Sequence, residues 1–268
     1  MNILGAIIAG GTSSRMGVEK AFVKLGNKSL IVRTIDRLLP QVDDLIINAN
    51  GDTKRFEVFE LDIVPDLETM FPTPLAGLHA AMTYAADEDY DAVVSVPSDS
   101  PFIPRDLVAK LAGDNAAIAN SKGQDHFLTG FWPVALLPQL EKLIAQKKRV
   151  QDWASECGAK RVNWRADDYD PFFNINTSLD LFLAGAMLRC GTTPHTLDLR
   201  GLKCPLPALK TSKWLAAHSG AENLVVFCTD IMAQIDIPHA VAQAGVALVR
   251  QDLTDGVLMF EIAYQPLR

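Results

Sequence analysis

The chain has 268 residues, of which 49% are apolar, and its formal net charge is -7. This length exceeds what one ordinary domain needs, so we expect two domains, each with its own core. The acidic balance argues against nucleic-acid binding, and no apolar run is long enough to span a bilayer.

The first half of the chain alternates predicted strands and helices. Helices are predicted over residues 29–39 and 74–86, and apolar strands over residues 3–9, 44–49, 61–64 and 92–96. Buried apolar strands separated by helices are typical of a doubly wound, mostly parallel sheet with binding groups at the strand ends. The first strand ends at Gly10-Gly11 and has no basic flank, which predicts a buried strand rather than a signal peptide.

A linker is predicted over residues 185–195, which include Gly191, two threonines and Pro194. A fresh pattern follows, with helices predicted over residues 205–217 and 238–244 and strands over residues 196–199, 224–227, 247–250 and 257–263. About 70 residues of this mixed order are enough for a small two-layer α/β sandwich. The expected domains are therefore residues 1–188 and residues 195–268.

A glycine-rich segment, Ile8-Ala-Gly10-Gly11-Thr-Ser-Ser-Arg15-Met-Gly17, lies between the first predicted strand and the next helix. Glycines allow the backbone to approach phosphates closely, and successive N–H groups can then cradle an anion. Arg15 and Lys20 would add charge-assisted contacts to a triphosphate. The pattern is neither a Walker loop nor a dinucleotide fingerprint.

This segment resembles the signature of the molybdenum cofactor guanylyltransferases, and of nucleotidyltransferases more widely. Further matches follow in order over nearly all of residues 1–188: Asn48-Ala-Asn50, Pro65-Asp66, Pro74-Leu-Ala-Gly77, Val96-Pro-Ser-Asp99-Ser-Pro-Phe-Ile-Pro104 and Phe173-Asn-Ile-Asn176-Thr. The resemblance implies a nucleotidyltransferase domain. In its reaction the terminal phosphate of molybdopterin attacks the α-phosphate of GTP and releases pyrophosphate. Gly10-Gly11 favours GTP over CTP.

The resemblance also implies roles for individual residues. Asp99, at a strand end, would hold Mg²⁺, which proteins commonly bind through one carboxylate and substrate phosphates. The other implied positions bind substrate: Ile8, Gly10, Gly11, Arg15 and Lys20 at the phosphates, Asn48 and Asp66 near the base and ribose, and Asn174 and Asn176 near the pterin. Simpler structural roles remain open, as an edge or turn amide for Asn48 and as helix-capping residues for Asn174 and Asn176.

The second predicted domain carries Cys204 in the run Cys204-Pro-Leu-Pro207. Pro205 suits the first turn of a helix, and a thiolate at a helix N-terminus is stabilised by the helix dipole. Four basic residues close in sequence would add to this stabilisation: Arg200, Lys203, Lys210 and Lys213. Residues 195–264 resemble the sulfur-carrier family, which implies that Cys204 carries persulfide sulfur.

Together these patterns predict a bifunctional maturation enzyme. Its first domain makes the guanine dinucleotide form of the cofactor, and its second passes sulfur from a cysteine desulfurase to the cofactor, to tRNA or to proteins that mature molybdoenzymes. Two alternatives remain open: another nucleotide or acceptor, such as CTP or a sugar phosphate, and a second domain that only docks. The four cysteines lack zinc-site spacing, as expected for thiols in a reducing cytoplasm. We therefore expect a cytoplasmic protein without nucleic-acid or membrane partners.

Overall fold

The computed structural model describes residues 1–9, 20–67, 74–218 and 223–264. The chain divides into two compact units, Met1–Asn176 and Thr177–Arg268. Among the residues that the structure describes, every helix falls short of the length and apolarity that a membrane span requires.

The first unit contains nine strands and five helices in its described part. Short 3-10 turns at Lys20–Phe22, Leu39–Gln41, Thr53–Phe59 and Val134–Leu136 join some of them. The elements in chain order are β1 (Ile3–Ile8), β2 (Lys24–Leu25), β3 (Lys28–Ser29), α1 (Leu30–Leu38), β4 (Asp44–Asn48), β5 (Asp62–Val64), α2 (Pro74–Asp87), β6 (Ala92–Pro97), α3 (Leu107–Leu111), β7 (Ala117–Ser121), β8 (Gln124–Pro133), α4 (Leu137–Ala145), α5 (Val150–Glu156) and β9 (Lys160–Trp164).

A seven-stranded sheet in the order β5-β4-β1-β6-β8-β7-β9 forms the centre of this unit. Strands β5, β4, β1 and β6 are mutually parallel, whereas β8 runs antiparallel to both β6 and β7. The chain moves outward from β1 to β4 and β5, then returns to place β6 on the other side of β1. Because the strand order reverses there, the carboxyl ends of β1 and β6 flank a crevice of the kind that binds ligands.

Both faces of this sheet are buried, which explains why its central strands are almost wholly apolar. On β1, Ile7 lies in one buried cluster and Leu4, Ala6 and Ile8 lie in the other. The predicted doubly wound, mostly parallel α/β fold is confirmed, and the strands and helices predicted up to residue 97 lie within two residues of their observed bounds.

The second unit contains α6 (Ser178–Cys190), β10 (His195–Asp198), α7 (Leu206–Ala217), β11 (Leu224–Cys228), α8 (Ala233–Gln243), β12 (Ala247–Thr254) and β13 (Val257–Ala263). Its four-stranded sheet has the order β10-β11-β13-β12. Strand β10 pairs parallel with β11, and the other neighbours pair antiparallel. The predicted small domain of sheet and helices is therefore present.

All five residues of β11 are buried, and they alternate between two cores. Leu224, Val226 and Cys228 pack in the cluster that includes Trp214 of α7 and Ile237 of α8. Their neighbours Val225 and Phe227 pack on the opposite face with Phe182 and Ala186 of α6 and Met259 of β13. Helix α6 therefore covers the sheet face that α7 and α8 leave open.

Three predicted bounds in this region are wrong, and one of them is the end of β12, which was predicted at residue 250 but lies at Thr254. The linker was predicted to start at residue 185, but α6 continues to Cys190 and ends at Gly191, whose φ of 78° suits a glycine after a helix. Gly185 lies inside this helix, where a Cβ would be only 3.3 Å from Nη2 of Arg189. Helix α8 starts at Ala233, five residues before the predicted start, so Pro238 lies inside it.

Candidate functional site

The carboxyl ends of β1, β4 and β6 converge in the first unit. Ile8 pairs with Asn48 on one side and with Pro97 on the other. The backbone N–H of Ser98 donates to the carbonyl of Ile8 at 3.1 Å. Parallel strands thus bring residues that are 40 to 90 positions apart to one edge of the sheet, as their sequence placement predicted.

A lysine and a carboxylate form the charged centre of this edge. Lys20 begins the 3-10 turn after the glycine-rich segment, and its ammonium group forms an ion pair with the carboxylate of Asp99. The same ammonium donates to Asn176 Oδ1 at 2.6 Å. The Lys20 and Asp99 side chains are only 18% and 15% exposed, so solvent screens the pair weakly.

The asparagines near the end of the first unit reach the same centre. Ser100 Oγ donates to Asn174 Oδ1 at 2.5 Å, and the N–H of Ile175 donates to the carbonyl of Asp99 at 3.1 Å. Residues 99–100 and 174–176 are therefore held together through backbone and side chains. Neither asparagine caps α6, because the N-cap is Thr177, whose hydroxyl accepts from the N–H of Asp180.

A second polar group lies beside the ends of β4 and β5. Asn48 Nδ2 donates to Asp66 Oδ1 at 2.9 Å, and Asn50 Nδ2 donates to Asp66 Oδ2 at 2.8 Å. The N–H of Asp66 in turn donates to Asn50 Oδ1 at 2.8 Å. The carboxylate of Asp66 is therefore fixed by two amides before any ligand arrives.

Gly77 of α2 leaves room for this group. A Cβ at this position would collide with Asn48 Oδ1 and would lie 3.0 Å from Ile8 Cγ2. Asn48 is fully buried, and its Oδ1 has no hydrogen-bond partner among the described residues. The sequence motif that contains Gly77 thus keeps helix α2 close against the end of β4.

The centre fits a divalent cation. Asp99 Oδ1 is a buried carboxylate oxygen with no hydrogen-bond partner in the described part of the chain. Within those residues no cluster of three or more His, Cys, Asp or Glu side chains could hold a metal alone. One carboxylate that depends on substrate oxygens for the remaining ligands is the arrangement that suits Mg²⁺.

The structure brings together most of the predicted site residues of the first unit. Lys20, Asp99, Asn174 and Asn176 form one connected group, and Asn48 and Asp66 form a second. Three predicted positions, Gly10, Gly11 and Arg15, lie outside the described residues. Sequence reasoning gave no role to Ser100 or Asn50, although both stand inside quoted motifs beside residues that were assigned.

Cys204 of the second unit lies next to Pro205, the N-cap of α7, and therefore near the start of that helix as predicted, and its side chain is exposed. Its backbone N–H donates to Asp230 Oδ2 at 2.9 Å, and its thiol donates to Asp236 Oδ2 at 3.1 Å. Asp236 lies in the first turn of α8 and Asp230 in the connection before that helix. The thiol therefore faces two carboxylates.

The predicted stabilisation of a Cys204 thiolate is wrong. The hydrogen bond to Asp236 raises the pKa of the thiol above its usual value, and the negative charges of Asp236 and Asp230 act in the same direction. The nearby Arg200 does not offset this effect, because its guanidinium pairs with Asp198. The thiol proton is thus held by a carboxylate.

Large apolar side chains are exposed near Cys204, at the N-terminal ends of α7 and α8. On α7 these are Leu206 and Leu209, and near the start of α8 they are Ile231, Met232 and Ile235. By contrast, Cys228 is fully buried at the end of β11, and burial raises the pKa of its thiol to about 12. Cys228 is therefore a core residue, as its apolar strand predicted.

Comparison with known proteins assigns each unit to a family. Residues 5–161 match the model of the MobA-like NTP transferase domain, and residues 195–263 match that of sulfurtransferase TusA. The molybdenum cofactor guanylyltransferase of Rhizobium meliloti (strain 1021) is 41% identical over 196 residues, which span 68% of this chain and 90% of that protein. The enzyme of the same name from Cereibacter sphaeroides is 39% identical over 194 residues, which span 70% and 98%.

Solved structures share the fold of the first unit. Molybdopterin-guanine dinucleotide biosynthesis protein A from Archaeoglobus fulgidus superposes with a TM-score of 0.55 at 24% identity, over 69% of this chain and 98% of that chain. A Mycobacterium tuberculosis protein solved in complex with manganese gives a TM-score of 0.52 at 13% identity, over 67% and 96%. At these identities the superpositions establish the fold alone.

Proposed function

The chain belongs to the molybdenum cofactor guanylyltransferases, and from this premise we propose that it transfers GMP from GTP to the terminal phosphate of molybdopterin. A bond forms between the acceptor phosphate oxygen and the α-phosphorus of GTP. The bond from that phosphorus to the β-phosphate oxygen breaks, and pyrophosphate leaves. The contact of Lys20 with both Asp99 and Asn176 carries the proposal, because it joins a phosphate-binding cation, a metal-binding carboxylate and an acceptor-side amide.

Nucleotidyl transfer needs alignment and charge neutralisation rather than a protein nucleophile. In our proposal Lys20 moves from Asp99 to the triphosphate and stabilises the charge that develops on pyrophosphate. Asp66, fixed by Asn48 and Asn50, accepts hydrogen bonds from the nucleoside. The N–H groups of the segment around Gly10 and Gly11 and the guanidinium of Arg15 are assigned to the phosphates by family resemblance.

Asp99 would hold Mg²⁺, and its unpartnered Oδ1 supports this assignment. The cation would neutralise phosphate charge and align the reacting oxygens. Asn174 and Asn176 orient the pterin acceptor. Their contacts with Ser100 and Lys20, beside Asp99, support this role.

The test measures dinucleotide formation from GTP and molybdopterin by mass spectrometry, together with pyrophosphate release. We expect Lys20→Ala and Asp99→Ala each to abolish measurable transfer. Lys24→Ala and Asp114→Ala, which change exposed residues of the same unit, are matched controls and keep full activity. Full activity in both site variants would refute the assignment, and equal transfer from CTP would refute the nucleotide choice.

For the second unit we propose that Cys204 receives persulfide sulfur from a cysteine desulfurase and passes it toward the cofactor or tRNA. The exposed thiol and the exposed apolar side chains near it support transfer between proteins, because apolar surface around a reactive group suits contact with a partner. Proteins that mature molybdoenzymes are candidate recipients.

The sulfur step requires the thiol proton to leave Cys204. Asp236, 3.1 Å from Sγ, is placed to accept it as the sulfur attacks the outer sulfur of the donor persulfide. The S–S bond of the donor breaks, and the donor leaves as a thiolate that takes up a proton. Cys204 then holds the transferred sulfur as a persulfide, with no net oxidation or reduction.

Intact-mass spectrometry after incubation with a cysteine desulfurase, cysteine and pyridoxal phosphate tests this role. We expect a gain of one sulfur atom in the wild type and none in Cys204→Ser, whereas Cys190→Ser keeps the gain. No gain in a wild-type protein whose thiol alkylates normally would make this unit a docking module. In that case Cys204→Ser would still support cofactor maturation.

A further inference from the structure

Three polar side chains, outside the two groups described above, contact one another just before Asn174 in the chain and in the neighbouring strands. Ser121 ends β7, His126 lies in β8, and Asp170 lies in the connection between β9 and α6. Ser121 Oγ is 2.7 Å from His126 Nε2 and 2.7 Å from Asp170 Oδ1. Ser121 is fully buried, so these bonds replace water.

The direction of these hydrogen bonds follows from counting protons. A serine hydroxyl has one proton, and an ionised carboxylate can only accept, so Ser121 donates to Asp170. His126 Nε2 must then donate to the serine oxygen, which fixes the proton of the neutral imidazole on Nε2. Burial lowers the pKa of His126 and therefore favours the neutral ring, against the opposing charges of Asp170 and Asp125.

A serine, a histidine and an aspartate in contact resemble a hydrolytic triad, but the order of the bonds excludes that chemistry. In such a triad the histidine lies between the other two residues and accepts the serine proton. Here the serine lies in the middle, is fully buried and donates to the carboxylate. The group can therefore hold neighbouring residues in place, but its serine cannot act as a nucleophile.

Asp170 connects this group to the site. Its Oδ1 also accepts from the N–H of Phe172 at 3.0 Å, and its carbonyl accepts from the N–H of Phe173 at 3.1 Å. The Phe172 ring is buried against His126 and Trp164, with ring centroids 4.8 and 5.3 Å away. Residues 170–173 are thus fixed as a turn immediately before Asn174.

We propose that Ser121, His126 and Asp170 are positioning residues for the acceptor side of the transferase site. The hydrogen-bonded series from His126 to Asp170 fixes the turn that places Asn174 against Ser100 and Asn176 against Lys20. This inference rests on the proposed function, since it assigns the two asparagines to the pterin. It extends that function to Ser121 on β7 and His126 on β8.

The nucleoside side of the site has separate supports. Asp66 is held by Asn48, the last residue of β4, and by Asn50 just beyond it, and their hydrogen bonds to Asp66 do not involve this group. A change at Asp170 should therefore weaken acceptor binding more than nucleotide binding. This difference separates a positioning role from a general loss of stability, which would lower the active fraction without changing the ratio of the two KM values.

The experiment compares steady-state KM values for molybdopterin and GTP in the full chain. Asp170→Ala removes the acceptor of both bonds, and we expect it to raise KM for molybdopterin about tenfold, the size typical of losing a hydrogen bond to a charged group. KM for GTP should stay within about twofold. Asp170→Asn keeps an oxygen that can accept both bonds and should restore most of the affinity. Asp168→Ala, an exposed neighbour, is the matched control.

Ser121→Ala provides an independent measurement if Asp170→Ala folds poorly. It should raise KM for molybdopterin in the same direction and speed hydrogen exchange at the amides of residues 172–175. Equal rises in both KM values, or no rise in either variant, would overturn the inference while leaving the transferase assignment intact. A wild-type protein that makes no dinucleotide would overturn the proposed function, and this inference with it.

Discussion

A buried ion pair fixes α6 to the sheet of the second unit, and replacing Arg189 with methionine tests its contribution. Arg189 of α6 donates to both carboxylate oxygens of Glu261 in β13, with Nε at 3.0 Å from Oε1. The Glu261 side chain is only 1% exposed. Methionine keeps much of the arginine volume but leaves this carboxylate without its partner.

The expected loss of stability follows from the burial of the two groups. Removing one partner of a buried ion pair costs roughly 3–5 kcal/mol, because the remaining charge stays uncompensated. Two features place Arg189→Met near the lower limit. The Arg189 side chain is 33% exposed, and Arg250 lies opposite Glu261 in the β12–β13 register. We therefore expect a loss of about 3 kcal/mol.

Hydrogen exchange measured by mass spectrometry on the full chain gives separate exchange rates for peptides of each unit, so it shows which unit loses stability. A loss of about 3 kcal/mol speeds exchange that requires opening of the unit by roughly a hundredfold. We expect this change in peptides that cover β11 and β13. Peptides from β1 should keep their wild-type rates, because that strand lies in the first unit.

Two further variants separate the ion pair from simple loss of an arginine stem. Lys213→Met changes an exposed residue of α7 and should alter stability by less than about 0.5 kcal/mol. Replacing Arg189 and Glu261 together with methionines should recover most of the loss, since no uncompensated charge remains. A change below about 1 kcal/mol in Arg189→Met would refute the reasoning and would indicate that solvent screens this pair.

Three more changes have defined outcomes. Asp236→Asn removes the carboxylate that raises the pKa of Cys204, so iodoacetamide should alkylate this thiol faster near pH 7; an unchanged rate would contradict the assigned cause. His79 is buried, and burial lowers its pKa despite the opposing charge of Glu141, whose Oε1 lies 3.8 Å from Nε2, so stability should fall as pH drops below about 6.5. In urea titrations His79→Leu should lose this acid sensitivity and gain about 1 kcal/mol. Gly77→Ala should displace Asn48 and raise KM for GTP at least tenfold with KM for molybdopterin changed little, and an unchanged KM for GTP would contradict that packing.

The sequence predicted the parallel half of the first sheet because its strands are buried on both faces. Strand β1 is wholly apolar, and β6 is apolar except for the buried Ser95 and ends at Pro97. The other half of the sheet lacked this signal. Strand β9 has three exposed residues among its five, and β8 begins with three polar residues and is interrupted by Thr129, so neither produces a long apolar run.

Motif spacing predicted which site residues of the first unit meet, but not how they contact one another. The pairing of Lys20 with Asn176 joins positions 156 residues apart and depends on the turn that begins at Asp170. That turn is held by Ser121 and His126, which stand in no recognised motif. Such support becomes visible only when the strands are placed side by side.

The same limit explains the wrong prediction for the Cys204 thiolate. The helix dipole and the neighbouring basic residues act locally and favour a lower pKa. Asp230 and Asp236 lie 26 and 32 positions further along the chain, yet the fold places both beside the cysteine. A charge in direct hydrogen-bond contact outweighs a helix dipole, because the dipole is worth at most about 1 kcal/mol at an exposed site.

The raised pKa of Cys204 bears on how the proposed sulfur transfer would be controlled. A thiolate is the reactive form of cysteine, so a thiol kept protonated by Asp236 reacts slowly with oxidants and with unrelated electrophiles. It becomes a nucleophile when its proton passes to that carboxylate, and the proton acceptor is already in contact. Lys20 and Asp99 form a comparable ion pair in the first unit, and in the proposed reaction a substrate phosphate would replace the carboxylate beside the ammonium. In each unit a carboxylate contacts the reactive group: Asp236 contacts the thiol of Cys204, and Asp99 contacts the ammonium of Lys20. In the proposed reactions the same carboxylates act again, Asp236 as proton acceptor and Asp99 as metal ligand.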